Sequence, residues 1–293
     1  MKTERDCTMK PILSLLIFAM FFSSCSCGGK DAAPADNGET ADPYKKSEVA
    51  LRMVHYNVGA FNKPGSSTLD MVGDMLDELH ADIVSLNEVD SVTTRTGAVD
   101  QPKALAERLG DWGHIFAEAM PYKGGGYGCS IVHSPALEPL ARYTLSIPKG
   151  DGSEPRTVGI LEFAPFVFAT THLDHRNEEA RLAGVSLIAG FMDEKFPDKP
   201  VIVCGDFNCE PGNKPIQAMK EAGYELLSPI RPTYSAKNPS KCIDYIFIKK
   251  HGHPVRVLQT AVPTRFVSGS VTYASDHIPV FVDIAFEPAS PTL

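Results

Sequence analysis

At six places in this chain a carboxylate, amide or imidazole stands at the end of an apolar run. The run 51–56 ends in Asn57, and 83–86 ends in Asn87 and Glu88. The run 166–171 leads into His172, Leu173 and Asp174, and 201–204 leads into Gly205, Asp206, Phe207 and Asn208. Asp244 opens the run 245–248, and Ser275, Asp276 and His277 open 278–281. Strand ends are where sheet folds assemble their sites. Singly, each has an ordinary structural reading: Asn57 as a turn cap, Glu88 as partner to a surface lysine, Asp206 as a turn residue. Six together exceed what turn chemistry explains.

The chemistry that fits is metal-assisted hydrolysis of a phosphoester. Magnesium takes oxygen ligands, usually one or two carboxylates with water and phosphate, and Glu88 with Asn57 and Asp276 suits it. Such an ion neutralises the phosphate and stabilises the leaving oxygen. The attacking water must lose a proton, and a histidine held by a carboxylate is the usual base. His277 with Asp244 is the candidate pair. His172, Asn208 and Arg156 are candidates to donate to phosphate oxygens, where charge accumulates in the transition state.

These groups need strands to carry them. Short β-rich runs recur at 51–58, 82–86, 130–133, 158–163, 166–171, 200–204, 243–248, 255–262 and 278–284. Leu69, Val72, Met75, Leu76 and Leu79 fall at helical spacing, as do Leu182, Val185, Ile188 and Ala189 within 178–194. Residues 103–109 predict a shorter helix ended by Gly110. Strict β-α-β alternation is not sustained, which favours sheets packed face to face with helices outside over a doubly wound parallel sheet.

The segments Tyr56-Asn57-Val58, Leu86-Asn87-Glu88-Val89, Thr171-His172-Leu173-Asp174, Gly205-Asp206-Phe207-Asn208, Ile243-Asp244-Tyr245-Ile246 and Ser275-Asp276-His277 resemble, in order and spacing, the endonuclease/exonuclease/phosphatase superfamily. Its members include deoxyribonuclease I, apurinic endonucleases, sphingomyelinases and inositol-phosphate phosphatases. The resemblance runs over about residues 51–286. It implies an α/β (α+β) fold, a four-layer α/β/β/α sandwich of two mostly antiparallel sheets with outer helices. It also implies hydrolysis that depends on Mg2+ or Mn2+. In the roles it carries over, Glu88 is the principal metal ligand, with Asn57 and Asp276 at the same position. His277 and Asp244 form the base pair. Asp206 positions the nucleophile or a proton. Asn208 and His172 contact phosphate, with an acid role also open to His172, and Arg156 binds the substrate phosphate. The stretches Val99-Asp100-Gln101 and Gly125-Gly126-Tyr127-Gly128 resemble a small envelope and lipid-remodelling branch, which marks Tyr127 as a substrate contact. In that branch the glycine loop continues Gly-Asn-Ala. Here Gly128-Cys129-Ser130 puts a thiol, a weak donor, in place of the amide.

Composition bounds the alternatives. The 293 residues carry 28 Lys+Arg against 36 Asp+Glu, a net charge of −8, with 43% hydrophobic and 22% charged residues. That is globular composition rather than disorder, and the acidity argues against a non-specific nucleic-acid binder. Lys2, Arg5 and Lys10 precede an 11-residue apolar run at 12–22, too short to cross a bilayer, which takes about 20 residues. It fits a signal-peptide core. Ser23-Ser24-Cys25 resembles a lipobox, with Cys25 as the lipidated residue; a plain secretory signal is the alternative, and Met9 is a second candidate start. Residues 26–48 read as a tether and 49–293 as one domain. Removing residues 1–24 takes away three cations and two carboxylates, leaving −9. Of the seven cysteines, Cys7, Cys25 and Cys27 belong to the N-terminal leader region, and Cys129, Cys204, Cys209 and Cys242 lie in the domain with no C-x-x-C spacing among them. The expectation is a monomeric phosphoesterase lipid-anchored in a bacterial envelope, acting on a small molecule or lipid head group. A secreted nuclease and a non-catalytic binding module are the competing readings.

Overall fold

Successive side chains of a strand point to opposite faces. Along β1 (Leu51–Asn57), Val54 and Tyr56 therefore join an apolar cluster on one side, while Met53 joins a different cluster on the other. A computed structural model describes residues 42–287 of the chain. The leader, Cys25 and residues 26–41 lie outside the described residues, as do 288–293. After β1 come α1 (Leu69–Glu78), β2 (Ile83–Ser91), α2 (Gln101–Arg108), β3 (Gly113–Tyr122), β4 (Gly125–His133), β5 (Ala141–Ile147), β6 (Arg156–Glu162) and β7 (Val167–His172). Then follow α3 (Glu178–Lys195), β8 (Val201–Asp206), α4 (Lys214–Glu221), β9 (Glu225–Leu226), β10 (Asp244–Lys249), β11 (Val255–Ala261), α5 (Val271–Ala274) and β12 (Val280–Phe286).

Two six-stranded sheets form, in the orders β11-β12-β1-β2-β4-β3 and β5-β6-β7-β8-β10-β9. The central pairs β1/β2 and β7/β8 are parallel, each joined through a crossover containing α1 or α3. The other pairings are antiparallel. Three apolar layers result. One packs α1 and α2 on the first sheet through Val72, Met75, Leu76 and Leu105. A second packs α3 and α4 on the other sheet through Val185, Ile188, Met192, Ile216 and Met219. The third lies between the sheets, where Met53, Ile83, Phe168, Ile202, Ile246 and Val282 interleave. This is the four-layer α/β/β/α sandwich the sequence implied.

Local signals agree with the helices. Asn177 caps α3 by accepting from the Ala180 N–H at 3.0 Å, and Glu178, Glu179 and Lys195 match the helix dipole. Residues 42–48, read from sequence as tether, are instead held on the domain. Tyr44 is buried in the α1 layer, and its carbonyl accepts from Arg52 Nη1 at 2.6 Å. Lys46 pairs with Asp82 at 2.6 Å. Arg52, itself buried, is gripped by Asp283 through Nε at 2.6 Å and Nη2 at 2.7 Å.

Candidate active site

The strand faces that meet between the sheets change character along their length. On β1 the inward residues read Met53, His55, Asn57; on β2, Ile83, Ser85, Asn87. On β7 they read Phe168, Thr170, His172; on β8, Ile202, Cys204, Asp206. Each goes from apolar through small or hydrogen-bonding to functional, so one end of the inter-sheet layer is an oil core and the other a polar site. Register does the rest. Asp206 is the cross-strand neighbour of His172 on one side and of Asp244 on the other. Gly205 lets β8 approach β7 closely, since a Cβ there would meet Thr171 O at 2.1 Å.

Asn87 and Glu88 are adjacent, and a regular strand would turn them to opposite faces. A β-bulge between Asn87 and Val89 breaks the β2/β4 register, with Glu88 in the left-handed region at φ 55°. Bulges commonly re-aim a side chain beside a site. Here the bulge sends Glu88 to the cavity while Asn87 stays buried between the sheets. Asn208 also takes a left-handed φ, of 51°, a conformation asparagine adopts more readily than most residues.

A buried chain of hydrogen bonds ends at the cavity. Ser85 Oγ and Thr170 Oγ1 meet at 2.7 Å, and Ser85 meets His55 Nδ1 at 3.0 Å. His55 Nε2 reaches Asp244 Oδ1 at 3.0 Å, and Asp244 Oδ2 reaches His277 Nδ1 at 2.9 Å. His277 Nε2 is thereby aimed at Asp206 Oδ2, 3.6 Å away, and His172 Nε2 lies at the same 3.6 Å from that oxygen. Burial favours neutral Asp244, but the two imidazoles outweigh it and hold its pKa below the ordinary value. Burial likewise opposes charge on His277, and Asp244 overcomes it, pushing His277 up to about 10. Burial and then Asp244 push Asp206 up to about 7. Burial, Arg156 and His277 all hold His172 well below the usual histidine range. His172 is thus a neutral imidazole, and Asn208 Nδ2 approaches its Nε2 at 2.9 Å while also donating to Leu173 O at 3.0 Å.

His172, Asp206, Asn208 and His277 line a cavity of about 440 Å³ with Glu88, Tyr127, Glu154, Arg156, Lys241 and Asp276 among its walls. Arg156 is buried, with Nη2 3.0 Å from Glu154 Oε1 and its Nε without a hydrogen-bond partner. Tyr127 lies beside Glu88, and burial holds its phenol firmly protonated. Cys129 stands behind this wall, accepting from Asn87 Nδ2 at 3.3 Å; burial pushes its thiol up to about 12, which makes it inert as a nucleophile. Asp174 works in its own loop, accepting from the N–H groups of Ser153, Arg176 and Asn177.

The ten domain residues read from sequence all converge here. Sequence reasoning passed over His55, Ser85 and Thr170, although each lies two positions before a recognised residue and so shares its face. Glu154 and Lys63 carry no such signal.

Two places could hold a cation. Asp206, Asp244 and His277 offer ligand atoms within 4.8 Å of one another, but both oxygens of Asp244 are already taken by imidazoles. At the second, Lys63 Nζ lies 3.0 Å from Asp276 Oδ2 and 3.6 Å from Glu88 Oε2, and Asp276 Oδ1 is buried with no partner. An ammonium between two carboxylates marks a cation position, and hard oxygen donors fit Mg2+ or Mn2+. Asn57 supports it by donating from Nδ2 to Glu88 Oε1 at 3.2 Å and to Asp206 Oδ2 at 3.1 Å.

Comparison with known proteins bears on the fold and the family. The chain is 30% identical to human nocturnin over 148 residues, which cover 43% of this chain and about a third of nocturnin's length. The structure of the nocturnin catalytic domain with bound sulfate superposes with TM-score 0.63 at 21% identity, covering 81% of this chain and 94% of that one. A conserved protein of Enterococcus faecalis gives TM-score 0.67 at 21% identity over 81% of this chain and 100% of its own. The mannosyl-6-phosphatase of Bacteroides thetaiotaomicron gives 0.64 at 21% over 80% and 100%. Residues 54–277, well over half of the sequence, match the endonuclease/exonuclease/phosphatase family. The chain therefore belongs to that family, whose members are hydrolases acting on phosphoester bonds.

Proposed function

We propose that this enzyme is a divalent-metal-dependent phosphoesterase acting on a small or lipid-borne phosphoester by in-line attack of water. The observation that carries the reading is the convergence of Asp244, His277, Asp206, His172 and Asn208 on one cavity beside the Glu88–Asp276 pair. An ion held by Glu88 and Asp276 supplies charge neutralisation of the phosphate and of the leaving oxygen. His277, fixed through Nδ1 by Asp244, presents Nε2 to the cavity and takes the proton of the attacking water. Asp206, with its pKa raised and set between two imidazoles, positions that water and accepts or returns a proton. Arg156 faces the phosphate oxygens, where charge builds in the transition state, and Asn208 lines the same cavity with its amide hydrogens directed to His172 Nε2 and Leu173 O. His172 stays neutral and orients Asn208.

Four carboxylates share the cavity wall with Arg156 and Lys241. A long polyanion needs a basic track, so a compact substrate suits this site better than nucleic acid. A neighbour of the same fold is a mannosyl-6-phosphatase, which supports sugar phosphates as one class to try. The apolar run at 12–22 and Cys25 support attachment to the envelope membrane.

The test is a chelator-stripped enzyme assayed with Mg2+ or Mn2+ against mono- and diester chromogens, sugar phosphates, phosphoinositides, sphingomyelin and plasmid DNA. Metal-restored turnover of a small or lipid ester is expected. Inactivity on every ester at full metal loading, or activity confined to the plasmid, overturns the reading.

A further inference from the structure

Lys63 belongs to no motif and takes no part in the proton chain, yet its ammonium sits between Glu88 and Asp276, 3.6 Å and 3.0 Å away. The turn before it is shaped to bring it there. Gly59 lies at φ +53°, and a Cβ on it would come within 2.1 Å of Lys63 Cε and 2.6 Å of its Cγ. Any other residue would force the lysine stem aside. The same glycine donates its N–H to Asn57 Oδ1 at 3.2 Å, fixing the amide that holds Glu88. Beyond Lys63 opens a second cavity of about 740 Å³, walled by Pro64, Met71, Lys237, Tyr273 and Asp276, with room for the stem to swing away.

We propose that Lys63 is a built-in counter-ion for Glu88 and Asp276 that a divalent metal must displace. The inference rests on reading that pair as the metal position. Two like-charged cations cannot share a gap this short, so metal entry is an exchange of one cation for another. Lysine suits the task because it is a point charge on a flexible stem and leaves without breaking a bidentate fork, as arginine would have to. With the ammonium in place, the two carboxylates stay near their metal-holding positions instead of repelling each other apart.

The experiment is calorimetric titration of Mn2+ into the chelator-stripped full-length chain, with thermal unfolding measured with and without the ion. Lys63→Met, Lys63→Gln and wild type are compared, with Lys237→Met making the same charge change and having no ion pair to either carboxylate among the described residues. Half-exposed ion pairs are weak, so Lys63→Met and Lys63→Gln should bind Mn2+ about two- to ten-fold tighter. Both should melt lower than wild type without metal and match it when saturated, while Lys237→Met tracks wild type. Unchanged or weaker Mn2+ binding in both Lys63 variants overturns the proposal, as does an equal loss of melting temperature with and without the ion. Tightening in Lys237→Met as large as in Lys63→Met overturns it too, since net charge would then explain the gain. If wild type itself binds no Mn2+, the Glu88–Asp276 reading falls and this inference with it.

Discussion

Asp244→Asn tests the proton chain at the buried carboxylate that bridges its two imidazoles. The substitution keeps the side-chain shape: the amide oxygen can still accept from His277 Nδ1, and the amide nitrogen faces His55 Nε2 in place of a carboxylate oxygen. What disappears is the charge. His277 stands at about 10 because Asp244, helped by Asp206 and Asp276, outweighs burial. Relative to an ordinary histidine, that is a bias of about 5 kcal/mol toward the imidazolium at 1.36 kcal/mol per pKa unit. It is the net left after burial has been overcome, with Asp244 as the first contributor and Asp206 and Asp276 adding to it. Loss of one contacting opposite charge typically moves a pKa by about one to three units. His277 works as a base only when neutral, and removing the carboxylate lowers its pKa. The limb of kcat/KM that reports His277 should therefore move toward acid by about one to three units. The plateau should fall by about 10²–10⁴-fold, because the imidazole is a weaker and less fixed base. The assay is a pH–rate profile on one phosphoester at saturating Mg2+, with urea unfolding to confirm that the variant is folded. An unmoved limb with a rate within ten-fold of wild type would refute the assignment of His277 and Asp244 as the base pair.

Glu88→Gln keeps the bulge and removes one of the two carboxylates around Lys63, so calorimetric Mn2+ affinity should drop more than about ten-fold, by the charge-pair logic above; unchanged affinity would move the cation to Asp206, Asp244 and His277. Arg52→Met leaves Asp283 buried and unpaired, and urea unfolding should show a loss of about 3–5 kcal/mol. The double variant Arg52→Met/Asp283→Leu should recover part of that, whereas a single-variant loss below about 1 kcal/mol would show the pair to be dispensable. Cys129, its thiol held near 12 by burial, should resist iodoacetamide in the native enzyme at neutral pH and react only in denaturant; peptide mass spectrometry that finds rapid native labelling contradicts the inert assignment.

Much of the site could be read from the chain because a strand's period of two ties function to pattern. Asn57, Asn87, His172 and Asp206 end apolar runs, and His55, Ser85 and Thr170 lie on the same faces two residues earlier. Glu88 defeats the same rule: by alternation it should face away from Asn87, and only the bulge, a three-dimensional irregularity, turns it inward. Edge elements were harder to see. β5 alternates Ala141, Tyr143, Leu145 and Ile147 with Arg142, Thr144 and Ser146, which a search for continuous apolar runs passes over. β3 is half-buried along most of its length and shows no clean alternation. α4 has only Ile216 and Met219 as large apolar anchors, with Asn213 and Pro215 as its start signal. Lys63 was invisible because its partners come from β2 and from the loop before β12, far away in sequence.

The hydrogen bonds that build the site mostly run from one sheet to the other. His55 in β1 meets Asp244 in β10, and Ser85 in β2 meets Thr170 in β7. Asn87 Oδ1 accepts from the Asp206 N–H at 2.8 Å, and Asn57 donates to the Asp206 carboxylate. Neither sheet contains a site by itself; the geometry is a property of their spacing. That spacing is set further along the same faces, where Met53, Phe168, Ile202 and Ile246 close-pack behind the polar end. An apolar core there serves the proposed chemistry directly, because it excludes water from a carboxylate–imidazole chain whose strength depends on a low dielectric. The left-handed backbone at Glu88 and Asn208 is held more locally. Such conformations persist only where the surroundings over-determine them: Glu88 accepts from Asn57 Nδ2 within its own sheet, and Asn208 donates its N–H to Asp206 Oδ1 and its amide to Leu173 O beside β7 and β8.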